Sequence, residues 1–93
     1  MTAGQVEAAV LQLAREVIDS LMGPDASKYA TEDNLTQSFD ATITRYGIPW
    51  VLGDVEEKLF RFDTKGDRRD LVKAVARVAL MIAWLDGGDG RDV

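Results

Sequence analysis

Glu56 and Glu57, followed after a short connection by Asp70, are the residues of this chain whose types and spacing could do chemistry. Carboxylates on two successive helices can converge on one hard divalent cation, Mg²⁺ or Mn²⁺, which prefers carboxylate and water oxygens and shares its shell with substrate phosphates. Lys73 and Arg77 share a helical face with Asp70, at spacings of three and then four residues, and could hold a phosphate directly as a point charge and a bidentate fork. Trp50, behind Pro49 at a helix entrance, could stack on a base. Each group also has a plainer reading. Glu57 can pair with Arg61, an acid of the third helix can neutralise Arg77, and Trp50 can simply pack.

Composition narrows the chemistry further. The chain has no Cys and no His, which removes thiolate zinc sites, disulfides, Cys nucleophiles and the commonest neutral-pH base. Any catalysis must rest on carboxylates, Lys, Arg, Tyr or hydroxyls. A formal net charge of −5 argues against DNA or RNA as a partner, because sequence-independent phosphate binding needs a basic stripe. Residues 1–46 carry seven acids and three bases, whereas residues 47–93 carry nine and eight, so opposite charges meet in the second half. The N-terminus has no basic leader, and the longest nearly apolar run, Ala74 to Leu85, is too short to span a bilayer and contains Arg77. These features predict a cytoplasmic location with no membrane partner.

Helices must position the site. Val6, Val10, Leu13, Val17 and Leu21 recur at three and four residues behind a Thr2/Gln5 capping box, predicting a first helix over about residues 3–22. A second apolar line, Leu11, Ile18 and Met22, makes its face wider than one neighbour needs and predicts contact with another subunit. Gly23-Pro24 stops it, and Tyr29 can anchor the connection. Thr31 caps a second helix in which Leu35, Phe39, Ile43 and Tyr46 follow helical spacing, ending at Gly47. Asp54 reads as the cap of a short third helix of about three turns, with Val55, Leu59 and Phe62 inward. Thr64-Lys65-Gly66 reads as a turn and Asp67 as the cap of a fourth helix, closed by Gly87-Gly88. That helix is apolar on almost every side from Ala74, as a central buried helix would be. Phe39, Phe60, Phe62 and Trp84 are assigned to core or interface. The expected fold is all-α, one domain of four antiparallel helices around the fourth over residues 1–88, with a flexible tail at 89–93. A chain of 93 residues buries limited surface alone, so a homo-oligomer is expected.

Two stretches carry a family resemblance: Val55-Glu56-Glu57-Lys58-Leu59-Phe60, and the run from Asp70-Leu71-Val72-Lys73 to Trp84. The segment from Trp50 to Leu85 resembles the all-α nucleoside triphosphate pyrophosphohydrolases, the MazG-like group, and their small phage-type relatives. That family sets an E-E-x-x-E type motif on one helix and an E-x-x-D type motif, followed by small residues, on the next. Tyr46-Gly47 with Trp50, and Glu57-Lys58-x-x-Arg61, are similar to the YG-x-x-W and DK-x-x-R patterns of nucleotide-modification-associated relatives. The resemblance implies Glu56, Glu57 and Asp70 as catalytic carboxylates holding Mg²⁺, with the nucleotide near Trp50, Lys58, Arg61, Lys73 and Arg77. Phe60 stands where the family has a third acid and Lys73 where it has an Asp, and a cation in place of a ligand opposes the metal's charge. The implied function is therefore a MazG-like domain with weakened or lost pyrophosphohydrolase activity that can still bind nucleotide. A different class fits the same sequence: an acidic protein-binding module of the antitoxin, immunity-protein or phage-inhibitor type, steered to a basic partner.

Overall fold

A computed structural model describes residues 1–22 and 37–87. Among them stand four α-helices and no strand: α1 (Ala3–Met22), α2 (Gln37–Tyr46), α3 (Ile48–Lys65) and α4 (Arg68–Gly87). The expected Thr31 cap, Leu35, the Gly23-Pro24 stop, Tyr29 and the tail lie outside the described residues. No helix among the described residues is long and apolar enough to cross a membrane.

The first helix starts as its sequence dictates. The Thr2 hydroxyl accepts from the Gln5 backbone N–H at 3.1 Å, and the Gln5 side-chain carbonyl accepts from the Thr2 N–H at 2.7 Å. This reciprocal capping satisfies donors that the first turn leaves unpaired. Between α3 and α4, Gly66 takes the left-handed conformation with φ 70° and donates its N–H to the Phe62 carbonyl at 2.7 Å, ending α3. Asp67 then caps α4, its Oδ1 accepting from the Arg69 N–H at 2.9 Å.

The third helix corrects the sequence reading. It spans 18 residues and begins at Ile48, so Asp54 lies in its second turn and caps nothing. Pro49 permits this early start: in the first turn its missing N–H has no acceptor to lose, and its fixed φ suits the helix. Gly47, at φ 82°, ends α2 through its N–H to the Ile43 carbonyl and accepts from the Trp50 N–H, so one residue joins two helices. Only glycine adopts that φ readily.

Packing follows two apolar clusters. Phe39, Ile43, Val51 and Leu80 form one, edged by Leu21, Ile48, Trp50, Val55, Met81 and Trp84; Val17, Val72 and Ala76 form the other, edged by Leu13 and Leu21. Through them α4 packs on both α1 and α3, and α2 packs on α3. The early start of α3 also changes which of its residues face inward: Val51, Asp54, Val55, Lys58 and Phe62 do, while Leu59 is exposed. Tyr46 is also exposed, with the Arg45 guanidinium 5.4 Å from its ring centre. The fourth helix is not covered all round, since Val75, Ala79, Ile82, Ala83 and Leu85 face outward. Its small residues Ala74 and Ala76 are buried instead, where they let the neighbouring helices approach.

Ile43, 1% exposed between α2 and α3, tests this core. Ile43→Ala should destabilise the protein by about 2–5 kcal/mol, a cavity cost that lowers the melting temperature by 10 °C or more, roughly, in thermal unfolding.

Candidate functional site

The polar groups of α3 and α4 meet along one seam. Asp54 lies at its centre, its Oδ1 accepting from Lys58 Nζ at 2.8 Å within α3 and its Oδ2 from Arg77 Nε of α4, also at 2.8 Å. Seven residues further along α3, Arg61 Nε reaches to 4.0 Å from Asp70 Oδ1, seven residues back along α4. The two contacts make the helices antiparallel and set Lys58 level with Lys73. The seam thus holds two acids, Asp54 and Asp70, and four bases, Lys58, Arg61, Lys73 and Arg77.

Burial makes Asp54 decisive. The Lys58 side chain is only 11% exposed, and an ammonium so far out of water requires an anion beside it. Burial pushes the Asp54 carboxyl up, but hydrogen bonds and charge from Lys58 and Arg77 outweigh that effect and hold it below its ordinary value of 3.8. The carboxylate is therefore the stable form at neutral pH.

The residues expected to hold Mg²⁺ are distributed differently. Glu56 and Glu57 are exposed, while Asp70 is buried in the first turn of α4, where the helix N-terminus favours a negative charge. Arg61 stands between the two helices' acids, Nη1 3.9 Å from Glu57 and Nε 4.0 Å from Asp70. A guanidinium thus lies where a cation bridging those carboxylates would be expected. Among the described residues no three acidic side chains gather into a group that could hold a metal ion.

The expected phosphate-binding cations divide likewise. Lys58 and Arg77 are bound to Asp54, Arg61 lies by Asp70, and Lys73, half-buried, has no carboxylate at ion-pairing distance among the described residues. Trp50 packs against Phe39 with ring centres 6.1 Å apart and planes tilted by 50°, a core contact that leaves it half-buried. Asp54 is the residue that sequence reasoning assigned wrongly. Its signal was a mirrored spacing: Asp54, Lys58 and Arg61 on α3 against Asp70, Lys73 and Arg77 on α4, legible once the helix is carried back through Pro49.

A second brace ties α1 to α4. Arg68 grips Glu16 with both terminal nitrogens, Nη2 to Oε2 at 2.7 Å, and this hydrogen bonding lowers the Glu16 pKa and raises that of Arg68. Asp67, hydrogen-bonded by the Arg69 side chain and backbone, is lowered to about 2. The chain matches no protein-family model, no curated protein and no solved structure at a significant level.

Asp54→Ala should cost about 2–3 kcal/mol, less than a fully buried pair because Arg77 keeps 35% of its side chain exposed. Lys58→Met keeps the Asp54–Arg77 contact and an apolar stem, and should cost about 1 kcal/mol or less; a denaturant titration of both variants measures the two costs. Stability should also fall in acid. Asp54, Glu16 and Asp67 all have depressed folded-state pKa values, so their contribution is complete above the ordinary carboxylate range and is lost as pH drops through the lowered values. Melting temperatures recorded from pH 6 down to pH 2 should decline most below about pH 4, and less steeply in Asp54→Ala.

Proposed function

We propose that the chain acts by association with another protein chain through α1, and that α3 and α4 form its brace rather than a hydrolytic centre. One observation carries this reading: residues 1–12 are all exposed, and α1 presents Val6, Val10, Leu11, Ile18 and Met22 to solvent at 45% or more. A ten-residue helical stretch without tertiary cover is marginal in water, and the exposed apolar residues of α1, Val6 and Val10 on the line of Val17, with Leu11, Ile18 and Met22 on a second line, are stabilised by a partner surface. In this reading the domain is a small four-helix bundle of MazG-like descent, working in the cytoplasm as an oligomer or as a protein-binding module of the antitoxin, immunity or inhibitor type. The Arg61 guanidinium near Glu57 and Asp70 supports loss of the metal-dependent reaction, because it sets a positive charge beside acids that Mg²⁺ would need.

A second reading draws on a separate observation. Lys73 is half-buried beside the seam and has no carboxylate within 4.0 Å among the described residues, only the charge of Asp67 acting from further off, so a phosphate could lodge there without metal.

Isothermal titration with nucleoside triphosphates, with and without Mg²⁺, alongside an assay of pyrophosphate release, separates these readings. The association reading expects neither heat nor release. Metal-dependent release would overturn it in favour of Glu56, Glu57 and Asp70 as a working centre. Metal-independent binding that Lys73→Asp abolishes would establish the phosphate reading instead.

A further inference from the structure

The exposed side of α1 has a pattern that is complementary to itself. Gly4, Glu7, Ala8, Leu11, Ala14, Arg15 and Ile18 lie along one face by the three- and four-residue rule, and every one is exposed. This face is distinct from the line of Leu13, Val17 and Leu21 that packs on the body of the domain. It extends over about 21 Å of helix from Gly4 to Ile18 at 1.5 Å per residue.

We propose that α1 pairs antiparallel with α1 of a second copy of this chain, about a two-fold axis that passes beside Leu11. The inference rests on the reading of α1 as the contact element and names its partner. In that register Leu11 meets Leu11 of the partner subunit, and Ala8 meets the partner's Ala14. Gly4, with no side chain, lies opposite the partner's Ile18 and leaves room for it. Glu7 lies opposite the partner's Arg15, and the symmetry makes the same ion pair a second time. Neither Glu7 nor Arg15 has a hydrogen bond or ion pair within its own chain among the described residues.

The opposite orientation is disfavoured by charge. A parallel pair would bring Glu7 against Glu7 and Arg15 against Arg15, two repulsive contacts in place of two attractive ones. Closed two-fold pairing through one self-complementary patch also ends at the dimer, so the apolar face does not propagate into a fibre. A basic partner of another kind would use the acid Glu7 but would gain nothing from Arg15 in the same line. The second copy uses both.

Light scattering on the full chain over a concentration series should give twice the chain mass of 10.2 kDa. Glu7→Arg and Arg15→Glu, both at exposed positions, should each weaken the dimer by about tenfold or more, since each places like charges at both crossings. Mixing the two variants in equal amounts should restore a dimer of one chain of each kind, and the double variant should restore the homodimer. Leu11→Asp should remain monomeric, with circular dichroism showing the domain still helical. A wild-type chain that is monomeric throughout, or a mixture no tighter than its components, would overturn the pairing. If such a chain also releases no pyrophosphate, only the choice of partner falls. Metal-dependent release by the wild-type chain would overturn the association reading itself, whatever the mass.

Discussion

The Asp54 carboxylate is the constraint on which the rest of this structure depends. It is one anion serving two cations, an ammonium from its own helix and a guanidinium from the next, each at 2.8 Å. The contact to Arg77 sets the register of α3 against α4, and the register in turn sets Arg61 beside Asp70 and Lys58 level with Lys73. The apolar clusters supply the larger driving force for burial, but apolar contacts are non-directional and tolerate a shift along the helix axis. A directional ion pair between the helices does not, because a shift would part the Arg77 guanidinium from Asp54.

That register has a chemical consequence. A divalent-cation centre needs several carboxylates free to turn inward, whereas here Asp54 is hydrogen-bonded to two cations, Asp70 lies 4.0 Å from Arg61 and the two adjacent glutamates face solvent. Helix phase explains the division. Once α3 begins at Ile48, positions 51, 54, 55, 58 and 62 share its inner face, and Glu56 and Glu57 fall outside it. Lys58, Arg61 and Arg77 are thereby internal counterions, while Lys73 acts on Asp67 from beyond ion-pairing distance.

The first helix responds to a different pressure. A domain this small has little surface on which to cover a 20-residue helix, and α4 covers only the side that carries Val17. Val6, Val10, Leu11, Ile18 and Met22 of α1 are left exposed. Glu16 and Arg68 clamp the C-terminal half of α1 to the start of α4 and leave its N-terminal half standing clear of the domain.

By itself the sequence determined what depends on neighbours a few residues apart. The limits of α1 follow from the Thr2/Gln5 box and the apolar repeat, the end of α3 from Gly66, the start of α4 from Asp67, and the all-helical class from the absence of alternating segments. That an acid of the third helix would neutralise Arg77 was also legible, because a guanidinium in an apolar helix requires it. Which acid it would be was not. Asp54 read as a cap because Pro49 looked like a barrier, and only contact with α2 and α4 made it worthwhile to continue the helix through its first-turn proline. The outward turn of Leu59 and Tyr46, the bare side of α4 and the position of Arg61 between two acids were likewise decided by tertiary packing. Periodicity marks that a helix has an apolar face, but how wide a face is covered depends on the number and placement of its neighbours, and that is information no single segment carries.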